Sequence, residues 1–110
     1  MSDKEIYQAL KAFCDKIESM VENEKEISII SHLDADGIAS GSIISSALAR
    51  LGAKCAVRTV SDMTFNVIDQ MRSENHDFYI ITDLGAGMVN EFNQALDNRW
   101  TIIDHHQIPE

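Results

Sequence analysis

Short apolar runs rich in β-branched residues, at positions 27–31, 55–60, 78–82 and 100–103, alternate with stretches of helical spacing at 37–51, about 65–73 and about 88–96. No other feature of the sequence constrains the fold as much. A strand, a helix and a second parallel strand form a right-handed crossover unit, and repetition of that unit builds a parallel sheet covered on both faces. The runs are nearly all apolar, as burial on two faces requires. Ahead of them, Ser2-Asp3-Lys4-Glu5 has the form of a helix capping box. Ile6, Leu10, Phe13, Ile17 and Met20, with Tyr7, Cys14 and Val21 beside them, then make one helical stripe reaching about Asn23. The acidic stretch 22–26 reads as a solvated helix end. The expected fold class is α/β: a three-layer doubly wound sheet, mainly parallel, with helices on both faces and an N-terminal helix.

Composition narrows the function classes. A chain of 110 residues suits a single domain, 1–110, with one modest core. Hydrophobic residues at 45% and charged residues at 25% are ordinary for a globular protein. No apolar run approaches the ~20 residues of a membrane-spanning helix, and the first 26 residues are too charged for a secretory signal. Cys14 and Cys55 are too few and too dispersed for a disulfide framework or a zinc clasp. They read as small buried hydrophobes in a reducing cytoplasm. Membrane, secreted and disulfide-scaffold readings are therefore set aside, and a cytoplasmic location is expected.

The net charge of -9, from 18 acids and 9 bases, argues against a simple nucleic-acid-binding module. Grip on a phosphate backbone needs Lys and Arg opposite the phosphates. With four aspartates set aside as candidate metal ligands, fourteen acids still face nine bases.

The chemistry gathers where the apolar runs end. In an open parallel sheet, ligands bind beyond the carboxyl ends of the strands, near the point where strand order reverses. The first run leads into Ser31-His32-Leu33-Asp34-Ala35-Asp36-Gly37, the third into Thr82-Asp83-Leu84-Gly85, and the fourth into Asp104-His105-His106. Four aspartates and three histidines thus reach one rim, and the second run alone lacks such an ending. Two like charges about 4 Å apart repel by roughly 4 kcal/mol at an effective dielectric near 20. Several ionised carboxylates in one crevice therefore need protons or a cation among them. A mixed oxygen and imidazole set without thiolate suits Mn²⁺ or Mg²⁺ better than a structural zinc site. Two ions sharing a carboxylate could bring a bound water toward a pKa of ~7 and clamp a phosphoryl centre. Gly37, opening a helix whose first turns hold Ala39, Ser40, Gly41 and Ser42, would let an anion approach its backbone N–H groups. Gly85 and Gly87 would do the same after the third strand, whereas Gly52 reads as a helix C-cap.

The motifs His32-Leu33-Asp34-Ala35-Asp36-Gly37, Thr82-Asp83-Leu84-Gly85 and Asp104-His105-His106-Gln107 resemble the first three signatures of the DHH phosphoesterase superfamily. The form Asp34-Ala35-Asp36-Gly37-Ile38 is similar to its RecJ-like branch, particularly the archaeal single-strand exonucleases. The resemblance runs from about Ile27 to His106. It implies that Asp34 and Asp36 ligate two metal ions with His32 beside them, that Asp83 bridges both ions, and that His105 is a further ligand. His106 would touch the substrate phosphate, near Gly85, and Asp104 would orient the histidine pair. The implied activity is metal-dependent hydrolysis of a phosphodiester along single-stranded DNA or RNA, in DNA repair or replication. The family also carries a fourth motif with another metal-binding Asp and a C-terminal substrate domain. Neither falls within these 110 residues. The chain thus resembles the N-terminal part of a catalytic domain, expected by itself to bind metal weakly and turn over poorly or not at all.

Other readings compete. A haloacid-dehalogenase-type phosphatase would use Asp34 as nucleophile and Asp36 as acid/base, but leaves His105 and His106 without a role. A phosphoacceptor receiver domain also clusters acids at strand ends, yet fits the Asp-His-His cluster no better. A non-catalytic replication scaffold related to RecJ, docking GINS-type proteins, and a DHH phosphodiesterase of small nucleotides complete the alternatives. Residue by residue, an Asp at a strand end is ordinarily a helix N-cap, a role also open to Asp36. His76 reads as a solvent-exposed loop residue, Asp62, Asp69 and Asp97 as surface or cap residues, and Trp100 as core or sheet edge. Arg50, Lys54, Arg58 and Arg99 are too scattered to form a nucleic-acid patch.

Overall fold

A computed structural model describes residues 3–82 and 84–103. The two most buried strands, β1 (Glu26–His32) and β3 (Phe78–Thr82), lie side by side. They are flanked by β2 (Lys54–Val60) and β4 (Trp100–Ile103) in a sheet of order β2-β1-β3-β4, every pairing parallel. The helices are α1 (Asp3–Glu22), α2 (Ala35–Arg50), α3 (Phe65–Glu74) and α4 (Val89–Leu96), with a single 3-10 turn at Ala86–Met88.

Connection order explains the layers. The chain steps from β1 outward to β2, then crosses back past β1 to β3 and on to β4. When every crossover is right-handed, reversing the direction of travel moves the covering helix to the opposite face. Accordingly α1 and α2 cover one face, where Ile17, Ile27, Ile29, Leu48, Phe78 and Ile80 pack together. On the other face α3 and α4 enclose Ile30, Ile68, Met71, Tyr79, Ile81, Phe92 and Leu96. Alternate residues of β1 and β3 feed the two cores, as the period of a strand demands. The fold is the three-layer, doubly wound α/β arrangement that the sequence pattern predicts.

Four local expectations need correction. β2 is an edge strand with largely exposed positions, so its sequence carries Lys54, Arg58 and Thr59, which discourage edge-to-edge pairing. Helix α2 begins at Ala35, two residues before the expected Gly37. Cys14 is exposed and Cys55 only half-buried, because the stripe of α1 that faces the sheet is Phe13, Ile17, Met20 and Val21. His76 is half-buried, its ring edge-on to Tyr79 at 5.9 Å between centroids. The capping box involves Ser2, and the stripe includes the side chains of Ile6, Tyr7 and Leu10; these lie outside the described residues.

Candidate metal centre

The reversal of strand order falls between β1 and β3. α2 leaves the end of β1 toward one face and α4 covers the other, so the ends of the two central strands border the crevice where doubly wound sheets bind ligands. Beyond β1 the chain stays in register for one more step, with the Leu33 N–H donating to the Val60 carbonyl at 2.8 Å. Asp34 then adopts the extended conformation of an N-cap, and its Oδ1 accepts from the Gly37 N–H at 2.7 Å. Asp34 therefore caps α2, and this is why the helix starts early. Asp36, expected as a cap, instead stands exposed inside the first turn, where the positive helix end favours a carboxylate.

His32 is fixed from both sides. Its Nε2 lies 3.1 Å from the Ser61 carbonyl oxygen, which can only accept, so Nε2 carries a proton. Its Nδ1 lies 2.9 Å from Asp34 Oδ2. A cation placed between the two would be held by both. A ring held through one nitrogen by a backbone carbonyl, with the other nitrogen beside a carboxylate, is a common arrangement of metal-ligating histidine. The donor set of imidazole and carboxylate oxygen thus fits a hard divalent ion. Among the described residues, however, no three His, Cys, Asp or Glu side chains come together as a metal-holding group.

The glycines have packing reasons that compete with the anion-binding expectation. A Cβ on Gly37 would lie 2.0 Å from the His32 carbonyl oxygen, and one on Gly41 would lie 2.3 Å from Ser31 Oγ. Both let α2 sit directly on β1, the close helix–strand approach that such a turn requires. The Gly37 N–H is already engaged by Asp34, which corrects the expectation of a helix start with its amides open to an anion. Gly85 has φ +85 and faces Phe92, so it is needed by the backbone after β3 whatever else it touches.

Beneath the rim, Ser31 and Thr82 are fully buried, and their hydroxyls find no hydrogen-bond partner among the described residues. Burial of an unpartnered hydroxyl costs about 1–3 kcal/mol.

A model of the DHH family, N-terminal domain, matches residues 26–110. The chain belongs to the DHH family. That membership favours neither the dehalogenase-type phosphatase nor the receiver domain. An uncharacterized protein of Methanocaldococcus jannaschii is 31% identical over 106 residues, covering 94% of this chain and 24% of the relative. The DHH chain therefore spans about a quarter of the length of that curated relative. Among solved structures, exonuclease RecJ bound to manganese superimposes with a TM-score of 0.73 at 22% identity, over 87% of this chain and 27% of that one. RecJ from Thermus thermophilus in complex with Mn²⁺ gives 0.64 at 23%, over 82% and 13%. Both likenesses bear on the fold.

Of the site residues expected in this DHH chain, His32, Asp34, Asp36 and Gly85 are described, and only His32 and Asp34 are in mutual contact there. Asp83, Asp104, His105 and His106 lie outside the described residues. Sequence reasoning missed Ser61, which acts through its carbonyl and so leaves no trace in side-chain chemistry. It also passed over Ser31 and Thr82. Hydroxyls closing the runs at 27–31 and 78–82 are the available clue. No helix among the described residues is long and apolar enough to cross a membrane.

Proposed function

We propose that this chain forms the first metal-binding portion of a Mn²⁺- or Mg²⁺-dependent phosphoesterase of RecJ type, which as a longer protein degrades single-stranded nucleic acid. The observation that carries the reading is the His32–Asp34 pair, 2.9 Å apart at the strand-order reversal of a DHH-family sheet. Asp34, Asp36, Asp83 and His105 would hold the ions, with His32 oriented by Ser61. When bound, the ions would neutralise the clustered carboxylates and lower the pKa of an attacking water toward ~7. His106 would contact the phosphate, and Asp104 would fix the histidine pair. The excess of acids leaves the grip on a polyanion to other parts of the longer protein.

Mn²⁺ titration calorimetry on the wild-type chain and Asp34→Asn tests this reading. Asparagine caps a helix as well as aspartate does, so the variant keeps α2 and removes one ligand charge. Wild type should bind Mn²⁺, and the variant should bind at least about tenfold more weakly with the same melting temperature in chelator. A wild-type chain that takes up no Mn²⁺ ends the proposal. In the longer protein, the same substitution should abolish chelator-sensitive release of nucleotides from labelled single-stranded DNA.

A further inference from the structure

Ser31 and Thr82 are register partners across the β1–β3 ladder. Their side chains stand on the same face of the sheet, at the carboxyl ends of the two central strands. On this face the same strands otherwise carry Ile27, Ile29, Phe78 and Ile80, all packed in one apolar core. Both residues are fully buried, and among the described residues neither hydroxyl has a partner. Ser31 Oγ sits where α2 comes close to β1, against Gly41. Packing alone would favour alanine and valine there, since apolar groups of the same shape avoid the penalty of an unmet hydroxyl. Both hydroxyls stand at the strand ends that border the crevice at the reversal of strand order, where the metal centre is proposed.

We infer that Ser31 and Thr82 are positioning residues of the divalent-metal centre, their hydroxyls donating hydrogen bonds to its ligating groups when the ion is bound. The inference rests on the proposed function and deepens it. Partners that orient ligands govern metal affinity without touching the ion, typically by 10–100-fold.

The test compares wild type, Ser31→Ala, Thr82→Val and Thr82→Ser in the full chain, by melting in chelator and by Mn²⁺ calorimetry. Ser31→Ala and Thr82→Val should melt at or above the wild-type temperature yet bind Mn²⁺ about tenfold more weakly. Thr82→Ser keeps the oxygen and loses a buried methyl, so it should melt lower but bind Mn²⁺ as wild type does. Wild-type binding with unchanged affinity in Ser31→Ala and Thr82→Val overturns this inference and leaves the proposed function standing. Affinity that merely tracks melting temperature across the set also overturns it, because the residues would then be structural. Absence of Mn²⁺ binding by wild type overturns the proposed function, and this inference with it.

Discussion

The two ends of the central strands treat their polar groups in opposite ways. At the amino end, the Asp77 carboxylate accepts from the Glu26 N–H at 2.7 Å while the Asp77 N–H donates to the Glu26 carbonyl. The Tyr79 hydroxyl donates to the Met71 carbonyl and accepts from the His76 N–H at 2.8 Å. Arg99 donates to the Asn75 side chain and to the carbonyls of His76 and Leu96. At the carboxyl end, two buried hydroxyls have no partner among the described residues, and a histidine nitrogen abuts a carboxylate. One end is knitted for stability. The other keeps polar groups that a stability optimum would remove, which is the expected mark of a site held ready for a ligand.

The largest effect should come from the rim, through its packing. Gly37→Ala would ordinarily stabilise a helix by up to about 1 kcal/mol. Here the new Cβ would meet the backbone of His32 at 2.0 Å, and backbone cannot swing aside as a side-chain tip can. The substitution should therefore destabilise by about 3 kcal/mol, lowering the melting temperature by roughly 10 °C or more. A variant that melts at or above wild type would show that α2 can lift off β1, and that the close contact is no part of what positions Asp34.

The second effect lies at the amino end and has a pH signature. Tyr79→Phe leaves the Met71 carbonyl and the His76 N–H without their partner, a loss of about 2 kcal/mol at neutral pH. Burial pushes the Tyr79 hydroxyl above its ordinary value of 10.0, a push partly opposed by the hydrogen bond from His76 and by the Arg99 charge. The unfolded chain then loses its proton near pH 10 while the folded chain keeps it. The contribution is thus fully present below about pH 10 and is lost as pH rises through the higher folded value. Thermal melts from pH 8 to 11 should fall more steeply for wild type than for Tyr79→Phe. Parallel slopes would mean that the amino end is not knitted through this hydroxyl.

What the sequence reveals of this molecule follows the same division. The strands and helices announce themselves because burial on two faces demands long apolar runs, and β1 and β3 match their expected positions within one residue. β2 reads as buried in the sequence because this edge strand still turns Cys55 toward one core and Val60 toward the other. The start of α2 is hidden in the sequence because Asp34 serves as N-cap and rim carboxylate at once, and only geometry tells which of Asp34 and Asp36 caps. His32 and Asp34 were legible as titratable side chains. Ser61 was not, since a backbone carbonyl is the same in every residue. Ser31 and Thr82 matter through where their hydroxyls are buried, and burial is a tertiary property.

The smallest effect serves as the control for the comparison, because it concerns an ion pair on the solvated flank of the sheet. Arg58 on the edge strand β2 donates to the Glu74 carboxylate at the end of α3. The side chains are 32% and 43% exposed, so water and salt compete for both charges. Holding two long side chains in one arrangement also costs rotamer entropy. A double-mutant cycle with Arg58→Gln and Glu74→Gln should give a coupling of about 0.5 kcal/mol that shrinks in 0.5 M salt. If the coupling instead rivals the Tyr79→Phe effect and resists salt, the flank of the sheet is as tightly knitted as its amino end. The contrast would then be between the rim and everything else, a sharper division than between two ends of the same strands.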